Sequence, residues 1–528
     1  MKVIIPNAEL VNSSLRSNFG EIYPLNIPVK NGTLLELLVN FYKDKAEKII
    51  ILANSNDDIA QYKIDKIVEV KVAKEVTSLA TTFLSSRLED ITGKVIINFA
   101  DTFVKDLNPE VSDAIYTVEV SDALRWTIVD KEESEIKFYD KQIPEIEKIY
   151  YSAVSGAFTL SSFFDFLNIL RKAKDFYAAL LQYNISHPVK LIDSKLWEDY
   201  GHLDLYNKSK EVAPRAFNSI DIDKSRGVLT KRSTEPKLVD EILWYLKLPA
   251  AVQYIAPRIF EYKLDYQAPM VKMEYYSYES LHNLFIYGDL ELGLWNSIFD
   301  KLFFIRKELN NYTVNFHEDI GFNTLHEMYV EKTVNRLEKL AKDERFAPLY
   351  DSKILINGRE YRSLNFYIQN LERVLKKFNL LDSTKFSIVH GDYCFPNILG
   401  DINSGILRVI DPRGQFGVFD IYGDSRYDIA KLAHSISGKY DLIIKDLFRV
   451  YHKDNQIDFT IHKIKRHDEI ESLFWNRVNL DYDENQIRIL EGLLFISMVP
   501  LHYDFPKRQS VMLATGLEKL APYFEEQI

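Results

Sequence analysis

The side chains best suited to catalysis lie in one short stretch of the C-terminal half. Asp392 and Asn397 are five residues apart between the apolar segments FSIVH (386–390) and ILRVID (406–411), and Asp411 ends the second segment. Both segments are rich in Ile and Val and are bounded by Gly or polar residues, which predicts two strands joined by a loop. On such a loop, Asp392 can accept the proton of an attacking hydroxyl. Asn397 and Asp411 offer oxygens to Mg²⁺ bridging the phosphates of a nucleotide, so the stretch predicts phosphotransfer from ATP.

Three motifs in this region carry a family resemblance. HGDYCFPN (390–397), IDPRG (410–414) and GDSRYDIAKL (423–432) follow one another along the chain. Their order resembles that of the aminoglycoside phosphotransferase and choline kinase superfamily, which contains small-molecule kinases with a protein-kinase-like fold. The alternative interpretation is that HGD is a simple turn and Ile-Asp a strand end, but the three ordered motifs favour the kinase.

The resemblance implies a role for each matching residue. Asp392 would be the catalytic base and His390 would orient the catalytic loop. Asn397 and Asp411 would hold Mg²⁺. Two further carboxylates would brace the segment behind the loop, namely Asp424 and Asp428.

A lysine that holds the phosphates of ATP is expected before the catalytic loop. Residues 217–233 alternate apolar and polar residues around a turn and predict a hairpin, and residues 235–249 have apolar residues at helical spacing. In kinases a strand lysine contacts the α- and β-phosphates and a helical glutamate fixes its position. Lys231 and Glu241 are the candidates for this pair. The alternative is that Lys231 is one of many surface lysines.

The hinge of a kinase fold is expected near residue 275. Residues 257–285 read as two strands, the second ending at Met273 and Glu274, followed by a helix. This end looks like the hinge between kinase lobes, where backbone groups bind adenine. We therefore predict an α+β two-lobed protein-kinase-like domain, with an N-lobe over residues 211–275 and an α-rich C-lobe over residues 276–528.

The N-terminal part of the chain has a different pattern. Short apolar runs at residues 2–6, 48–52 and 94–99 are separated by helix-like stretches, which predicts an α/β domain with a parallel, doubly wound sheet. Ligands of such sheets bind beyond the carboxyl ends of the strands. Asp101 follows the third run and can bind a metal that carries a nucleotide diphosphate.

This part resembles the sugar nucleotidyltransferases, which share the GT-A-type nucleotide-binding fold. VIIPNAELVNSSLR (3–16), YPLNIPVKNGTLLE (23–36) and LWEDYGHLDLY (196–206) follow the outline of that family. The resemblance implies a nucleotidyltransferase-like domain over residues 1–210, a bound nucleotide, and Asp101 and Asp199 as metal ligands.

The opening loop departs from the family and leaves alternatives open. Glu9, Val11 and Asn12 stand where the family has Gly-x-Gly, and glycines there let backbone N–H groups approach phosphates. Beside nucleotidyl transfer, the alternatives are a degenerate, non-catalytic module that binds a nucleotide or acts as a scaffold, and a glycosyltransferase that uses the same metal-bound carboxylate.

Composition narrows the partners and the compartment. The 528 residues carry 66 Lys and Arg against 77 Asp and Glu, a formal charge of −11, which argues against nucleic acid as a partner. The single cysteine, Cys394, excludes an internal disulfide and fits a reducing compartment. We expect no signal peptide and no membrane span, because no window approaches the ~20 apolar residues that a span needs. A cytoplasmic protein is predicted.

Together these patterns predict a bifunctional transferase. The kinase part would use ATP and Mg²⁺ to phosphorylate the hydroxyl of a small molecule, a sugar or an amino alcohol. Its fusion to a nucleotidyltransferase-like domain resembles enzymes that make precursors of capsule, lipopolysaccharide and other surface polysaccharides. Protein kinase activity is a weaker alternative, since the motif is HGD and not HRD and no activation segment is recognisable.

Overall fold

The chain divides into two units, residues 1–212 and 213–528. The computed structural model describes residues 1–29, 32–54, 65–132, 135–144, 148–210 and 217–525. Residues 211–216, at the predicted boundary between the two domains, lie outside the described residues.

The N-terminal unit combines a large sheet with short helices. Its strands are β1 (Lys2–Asn7), β2 (Pro28–Val29), β3 (Gly32–Thr33), β4 (Lys48–Ala53), β5 (Val68–Val72), β6 (Val95–Asn98), β7 (Thr102–Val104), β8 (Ala114–Val120), β9 (Thr127–Glu132), β10 (Glu135–Asp140), β11 (Tyr151–Leu160), β12 (Lys190–Asp193) and β13 (Trp197–Asp199). Its helices are α1 (Ser13–Phe19), α2 (Leu34–Tyr42), α3 (Leu79–Ser85), α4 (Phe163–Ala173), α5 (Phe176–Ser186) and α6 (Leu203–Ser209).

The large sheet has the order β10-β9-β11-β6-β1-β4-β5, and β8 pairs with β11 and β12. Strands β6, β1, β4 and β5 are parallel, as the alternation of strands and helices predicts. The sheet differs from the prediction in one respect, because β11 runs antiparallel to β6, β8 and β9. The predicted α/β class is confirmed, and the sheet is mixed.

Burial explains the apolar runs of the parallel strands. Ile4, Ile50 and Ile97 are 1 % exposed or less and belong to one core cluster with aromatic residues of α4 and α5. A strand covered on both faces needs apolar residues at every position, which gives continuous runs rather than alternation. The chain runs outward from β1 to β4 and β5 and then returns through α3 to β6, on the other side of β1. The carboxyl ends of β1 and β6 therefore face a crevice of the kind where α/β sheets bind ligands.

The C-terminal unit begins with strands and becomes mainly helical. Its strands are β14 (Asn218–Asp223), β15 (Val228–Ser233), β16 (Ile259–Lys263), β17 (Met270–Glu274), β18 (Glu279–Ser280), β19 (Thr313–Asn315), β20 (Ile354–Ile356), β21 (Arg359–Tyr361), β22 (Lys385–Ile388), β23 (Ile398–Asp401), β24 (Ile406–Val409), β25 (Tyr422–Gly423), β26 (Phe448–Lys453) and β27 (Gln456–Ile461). Its helices are α7 (Lys237–Lys247), α8 (Leu281–Tyr287), α9 (Leu292–Asn310), α10 (Glu318–His326), α11 (Lys332–Leu340), α12 (Pro348–Asp351), α13 (Leu364–Lys377), α14 (Ser425–Ile436), α15 (Tyr440–Ile444), α16 (Lys465–Asp481), α17 (Glu484–Met498) and α18 (Pro506–Glu525).

An antiparallel sheet of order β14-β15-β17-β16 forms the first part of this unit, with α7 packed on it. The helical part holds two small three-stranded sheets, β18-β23-β24 and β19-β22-β25. The hairpin β23–β24 and the end of β22 bracket the loop that carries Asp392. This arrangement confirms the predicted α+β two-lobed kinase-like fold.

Helix α14 shows how local sequence builds the site. Asp424 lies just before the helix and its side chain accepts a hydrogen bond from the N–H of Arg426, which begins the helix. Tyr427 and Lys431 are one turn apart, so their side chains share a face. The helix thereby presents two polar groups toward the catalytic loop. In the part of the chain that is described, no helix is long and apolar enough to cross a membrane.

Candidate active site

The loop that carries Asp392 connects β22 to the hairpin β23–β24. The hairpin register pairs Ile398 with Val409, and the N–H of Ile410 donates to the carbonyl of Asn397 at 2.9 Å. Asn397 and Asp411 therefore lie at the same end of the hairpin. The strand pattern of the sequence brings together the two residues predicted to hold Mg²⁺.

Asp392 is held from two sides. The amide nitrogen of Asn397 donates to the Oδ2 atom and to the backbone carbonyl of Asp392, both at 2.9 Å. The ammonium of Lys431 lies 2.9 Å from Oδ1. Burial alone would raise the pKa of Asp392, but the charge and hydrogen bond of Lys431 outweigh it and lower the pKa to about 2. The carboxylate is therefore ionised at neutral pH, and 37 % of its side chain remains accessible.

His390 joins the loop to the hairpin. Its Nδ1 atom accepts from the N–H of Asp392 at 3.3 Å, and its Nε2 atom donates to the carbonyl of Ile410 at 3.0 Å. Burial lowers the pKa of His390, so the ring is neutral with its proton on Nε2. The ring positions the backbone around Asp392 and has no free nitrogen for a proton transfer.

Asp428 holds the backbone of the loop that carries Asp392. Its two carboxylate oxygens accept from the N–H groups of His390 and Gly391, each at 2.8 Å, and Arg306 pairs with it at 2.7 Å. Gly391 has a φ of +78°, and a Cβ atom there would lie 2.7 Å from the Cβ of Arg413. The HGD motif therefore requires its glycine both for the backbone angle and for this close approach.

The side chain of Lys231, on β15, reaches the hairpin end that carries Asp411. Its ammonium lies 2.7 Å and 3.0 Å from the two carboxylate oxygens of Glu241 on α7, and 2.8 Å from Oδ1 of Asp411. The Lys231–Glu241 pair predicted from the sequence is thus in direct contact. Because the Lys231 side chain is 7 % exposed, this network is buried at Lys231 and opens toward Asp411, which is 51 % exposed.

The charges of this network shift one another. Burial and the charge of Asp411 raise the pKa of Glu241 above its ordinary value, and Lys231 opposes the rise. Burial would lower the pKa of Lys231, but the two carboxylates raise it above its ordinary value. Lys231 is therefore a cation that shares two carboxylates.

Helix α7 is fixed to the catalytic segment by two aromatic residues. The indole N–H of Trp244 donates to the carbonyl of Val389 at 2.7 Å, and the N–H of Asp411 donates to the hydroxyl of Tyr245 at 3.1 Å. Tyr245 follows Glu241 by one helical turn, so both side chains face Asp411. Asp411 itself has a φ of +55°, in the left-handed region.

The predicted hinge residues lie at the end of β17. Met273 pairs with Leu229 and Glu274 with Val228 of β15. The N–H of Glu274 donates to the carbonyl of Arg258 at 2.9 Å, so this donor is already used. Adenine binding at Met273 and Glu274 would then involve the other backbone groups of this strand end.

The oxygens near Asp392 fit Mg²⁺. The amide nitrogen of Asn397 is engaged by Asp392, which leaves its carbonyl oxygen for a cation, and Asp411 adds a carboxylate. Among the described residues, no group of three or more His, Cys, Asp or Glu side chains could hold a metal ion. One carboxylate and one amide suit Mg²⁺, which is commonly bound by one or two carboxylates together with substrate phosphates.

In the N-terminal unit, Asp101 and Asp199 are neighbours. Burial and the charge of Asp199 raise the pKa of Asp101 to about 6. The carbonyl of Asp101 accepts from the N–H of Tyr200 at 2.8 Å, and Oδ1 of Asp199 accepts from the backbone N–H of His202 at 3.0 Å. The imidazole of His202 also contacts Asp199, at 2.8 Å. These two carboxylates lie near the carboxyl end of β6. A divalent cation bound by both would offset the repulsion between their charges.

Sequence reasoning missed several residues of the site. Lys431 lies inside the GDSRYDIAKL motif, and its spacing of one turn from Tyr427 could have indicated a charge facing the loop. Trp244 and Tyr245 were read only as part of an apolar helix. Nothing in the sequence indicates their contacts with Val389 and Asp411, because these join segments far apart in the chain.

Comparisons with known proteins give two kinds of structural similarity. The N-terminal part is similar to HddC from Yersinia pseudotuberculosis complexed with GMP-PN, at 18 % identity over 39 % of this chain and 97 % of that chain, with a TM-score of 0.32. It is also similar to a UDP-glucose pyrophosphorylase from Acinetobacter baumanii, at 16 % identity over 39 % of this chain and 91 % of that chain, with a TM-score of 0.31.

The second similarity is to aminoglycoside phosphotransferases. A thermostable mutant of APH(4)-Ia, in a ternary complex with AMP-PNP and hygromycin B, matches at 9 % identity over 60 % of this chain and 92 % of that chain, with a TM-score of 0.38. No protein-family model matches the sequence, and no curated protein matches it. The chain therefore resembles nucleotidyltransferases and aminoglycoside phosphotransferases in structure.

Proposed function

We propose that the C-terminal unit transfers the γ-phosphoryl group of ATP to the hydroxyl of a small molecule. The observation that carries the proposal is the contact of Lys231 with both Glu241 and Asp411, at the same hairpin end as the Asp392–Asn397 pair. This is the set of groups that phosphoryl transfer needs: a phosphate-binding cation, oxygens for Mg²⁺ and a carboxylate facing the nucleophile.

Each side chain has a definite part in the reaction. Asp392 accepts a hydrogen bond from the acceptor hydroxyl and takes its proton as the new O–P bond forms. The bond between the γ-phosphorus and the bridging oxygen breaks, and ADP leaves with the electron pair. Lys231 binds the non-transferred phosphates, held in place by Glu241. Mg²⁺, bound through Asn397 and Asp411, would neutralise charge on the phosphates.

The low pKa of Asp392 affects how much the base contributes. A carboxylate with a pKa of about 2 is a weak proton acceptor, but it is ionised and rigidly oriented. In a loose transition state the hydroxyl loses its proton late, so positioning of the nucleophile is the main contribution. Lys431 therefore fixes the orientation of the Asp392 carboxylate and lowers its basicity.

The proposal is tested with purified full-length protein, Mg-ATP and a panel of sugars, amino sugars and amino alcohols, by following ADP release. We expect acceptor-dependent ADP release that stops when EDTA removes Mg²⁺. A protein that neither binds Mg-ATP nor releases ADP with any acceptor would contradict the proposal.

For the N-terminal unit, the proposed activity is metal-dependent nucleotidyl transfer. It is supported by the carboxylate pair of Asp101 and Asp199 beside the carboxyl end of β6. Together the two units would phosphorylate a sugar or amino alcohol and activate it as a nucleotide diphosphate derivative for surface polysaccharide synthesis, in the cytoplasm. This last step rests on analogy with fused enzymes.

The alternatives for this unit give different products. Pyrophosphate release from CTP, UTP or GTP with a sugar 1-phosphate supports nucleotidyl transfer. Nucleotide binding without turnover supports a non-catalytic binding or scaffold role, and release of a nucleoside diphosphate from a sugar nucleotide supports glycosyl transfer. The glutamate at position 9, which contributes to the raised pKa of Asp101, favours the binding role.

A further inference from the structure

A group of cationic side chains lies beside the catalytic carboxylate, and the proposed function makes no use of most of it. Lys431 contacts Asp392 directly. Lys332 and Arg336 come from α11, one helical turn apart, and Arg413 follows the strand end that carries Asp411. We call Lys332, Arg336 and Arg413 the cationic cluster.

Tyr427 connects these side chains. It is 4 % exposed and lies one turn before Lys431 on α14, and the ammonium of Lys332 is 6.0 Å from the centre of its ring. Burial would raise the pKa of the Tyr427 phenol, yet Lys332, Lys431 and Arg413 outweigh burial and lower it, while Asp392 opposes them. Tyr427 therefore lies within electrostatic reach of three cations and of the catalytic carboxylate.

The cluster lacks the anions that would normally neutralise it. Over the residues that the structure describes, no carboxylate forms an ion pair with Lys332 or Arg413, and the Tyr427 hydroxyl has no hydrogen-bond partner. Arg336 donates to the carbonyl of Ser497 at 2.9 Å. The nearby acid, Asp392, is already paired with Lys431. Lys332 is half-buried whereas Arg413 is exposed, so the cost of the missing anion falls mainly on Lys332, because burying an unpaired charge is unfavourable.

The pKa of Lys332 reflects the cost of burying its charge. Burial lowers the pKa of Lys332 to about 8, and the charges of Arg413, Arg336 and Lys431 add to the effect. A bound anion would offset both the burial of the Lys332 charge and its repulsion by the neighbouring cations. Lysine and arginine side chains with a tyrosine hydroxyl are well suited to bind a phosphate monoester or a carboxylate.

We propose that the phosphate acceptor is itself anionic, and that its phosphate monoester or carboxylate binds to Lys332, Arg413 and the hydroxyl of Tyr427 while its hydroxyl faces Asp392. This inference rests on the proposed kinase function and specifies its substrate class. An acceptor such as an amino alcohol or an amino sugar would add a further positive charge to the cluster and is disfavoured.

A competing occupant is the γ-phosphate of ATP, because Arg413 is two residues beyond Asp411. Lys332 comes from α11, a different element from those that carry Lys231 and Asp411, and lies over the ring of Tyr427, which argues for the acceptor. The experiment therefore fills the nucleotide site first.

The first measurement is calorimetric titration of the full-length protein with inorganic phosphate in the presence of saturating Mg²⁺ and AMP-PNP. We expect phosphate to bind, and its affinity to fall about tenfold or more in Lys332→Met and in Arg413→Met. The matched control is Lys339→Met, on the exposed side of the same helix, which should bind phosphate as the wild type does. Absent phosphate binding, or equal binding by Lys332→Met and Arg413→Met, would overturn the proposal.

The second measurement compares acceptors in matched sets by ADP release. The sets are glycerol with glycerol 3-phosphate, and glucose with glucose 1-phosphate, glucose 6-phosphate, glucuronate and glucosamine. The phosphates and the glucuronate distinguish the two anion classes. We expect an anionic member to be preferred and its KM to rise in Lys332→Met more than kcat falls. Equal use of a neutral or cationic acceptor by wild type and Lys332→Met would contradict the proposal.

The nucleotide titration separates the two hypotheses. If the protein binds Mg²⁺ and AMP-PNP, but Lys332→Met and Arg413→Met bind phosphate as the wild type does, the anionic acceptor is rejected and the kinase proposal remains intact. Failure to bind the nucleotide would reject the kinase proposal, whereas the phosphate titration still reports on the cluster. If no member of the panel is phosphorylated, the phosphate titration alone decides.

Discussion

The ammonium of Lys431 lies 2.9 Å from the carboxylate of Asp392, and both side chains belong to motifs that define the catalytic segment. Lys431 comes from α14, whose first turn also provides Asp428 to hold the loop backbone. One helix therefore sets both the position and the ionisation of the proposed base. The following predictions test how this arrangement works.

Asp392→Asn should lower kcat by roughly 10²–10⁴-fold, the range that a positioned base contributes. Asparagine keeps an oxygen near Lys431 but cannot take up a proton. ATP affinity should change little, because Lys231 and Asp411 are untouched. Acceptor-dependent ADP release and nucleotide titration measure the two effects, and wild-type turnover in the variant would reject the assignment.

Asp411→Asn should weaken the Mg²⁺ dependence of nucleotide binding. Asparagine tolerates the left-handed backbone at this position, so the variant removes a charge without forcing a change of φ. ATP affinity should be measured across Mg²⁺ concentrations. We expect a smaller gain in ATP affinity on adding Mg²⁺ than the wild type shows, and an unchanged gain would exclude Asp411 as a ligand.

Lys231→Met should lower nucleotide affinity and also destabilise the fold. Removing one partner of a buried ion pair typically costs about 3–5 kcal/mol, because the other charge is left buried. Adding Glu241→Gln should recover part of the stability and none of the nucleotide affinity. Denaturant unfolding and ATP titration separate the two roles.

The control for this series is Lys247→Met, on α7, the helix that carries Glu241. Its partner Asp420 is on the surface, and both side chains are more than 40 % exposed. Such a pair contributes about 0–1 kcal/mol. A loss of stability in Lys247→Met equal to that of Lys231→Met would mean that the buried network is not special.

His467 should make the stability of the protein depend on pH. Its Nε2 atom donates to the carbonyl of Phe285 at 2.7 Å, and burial lowers the pKa from 6.5 to about 4. The unfolded chain therefore binds a proton between pH 6.5 and 4 that the folded chain does not. The neutral ring's contribution is fully present above pH 6.5 and is lost as the pH falls toward 4, by about 3 kcal/mol in total.

His467→Gln tests this dependence. Glutamine can donate to the Phe285 carbonyl but does not titrate. The unfolding free energy of the wild type should fall more steeply than that of His467→Gln between pH 6.5 and 4, and the two should run parallel above pH 7. Parallel curves throughout would show that His467 is not buried in its neutral form.

Asp101→Asn should abolish Mn²⁺-dependent nucleotide binding by the N-terminal unit, since it halves the charge of the carboxylate pair with Asp199. Glu119→Gln is the control, because Glu119 is an exposed acid on β8 of the same sheet. Titration with Mn²⁺ and CTP, UTP or GTP measures the effect. Equal binding by Asp101→Asn and the wild type would place the metal elsewhere.

Sequence reasoning succeeded where the relevant residues were local. Asp392, Asn397 and Asp411 belong to one loop and one hairpin, so strand periodicity is enough to bring them together. Lys231 and Glu241 lie on a hairpin and the helix that follows it, and the structure places their side chains in contact.

It failed where the contact depends on tertiary packing. Lys332 and Arg413 belong to a helix and a loop whose meeting cannot be read from periodicity. The direction of β11 was missed for a related reason, because an apolar run gives a strand but not the orientation of its neighbour.

The attachments of α7 also bear on regulation. Glu241, Trp244 and Tyr245 tie this one helix to Lys231, to the Val389 carbonyl and to Asp411. An outward swing of the helix would break all three links at once, so these contacts hold α7 in the position that pairs Glu241 with Lys231. Under the proposed kinase function, an α7 held in this way requires no separate activating step, and the output would follow the supply of substrates and the amount of protein made.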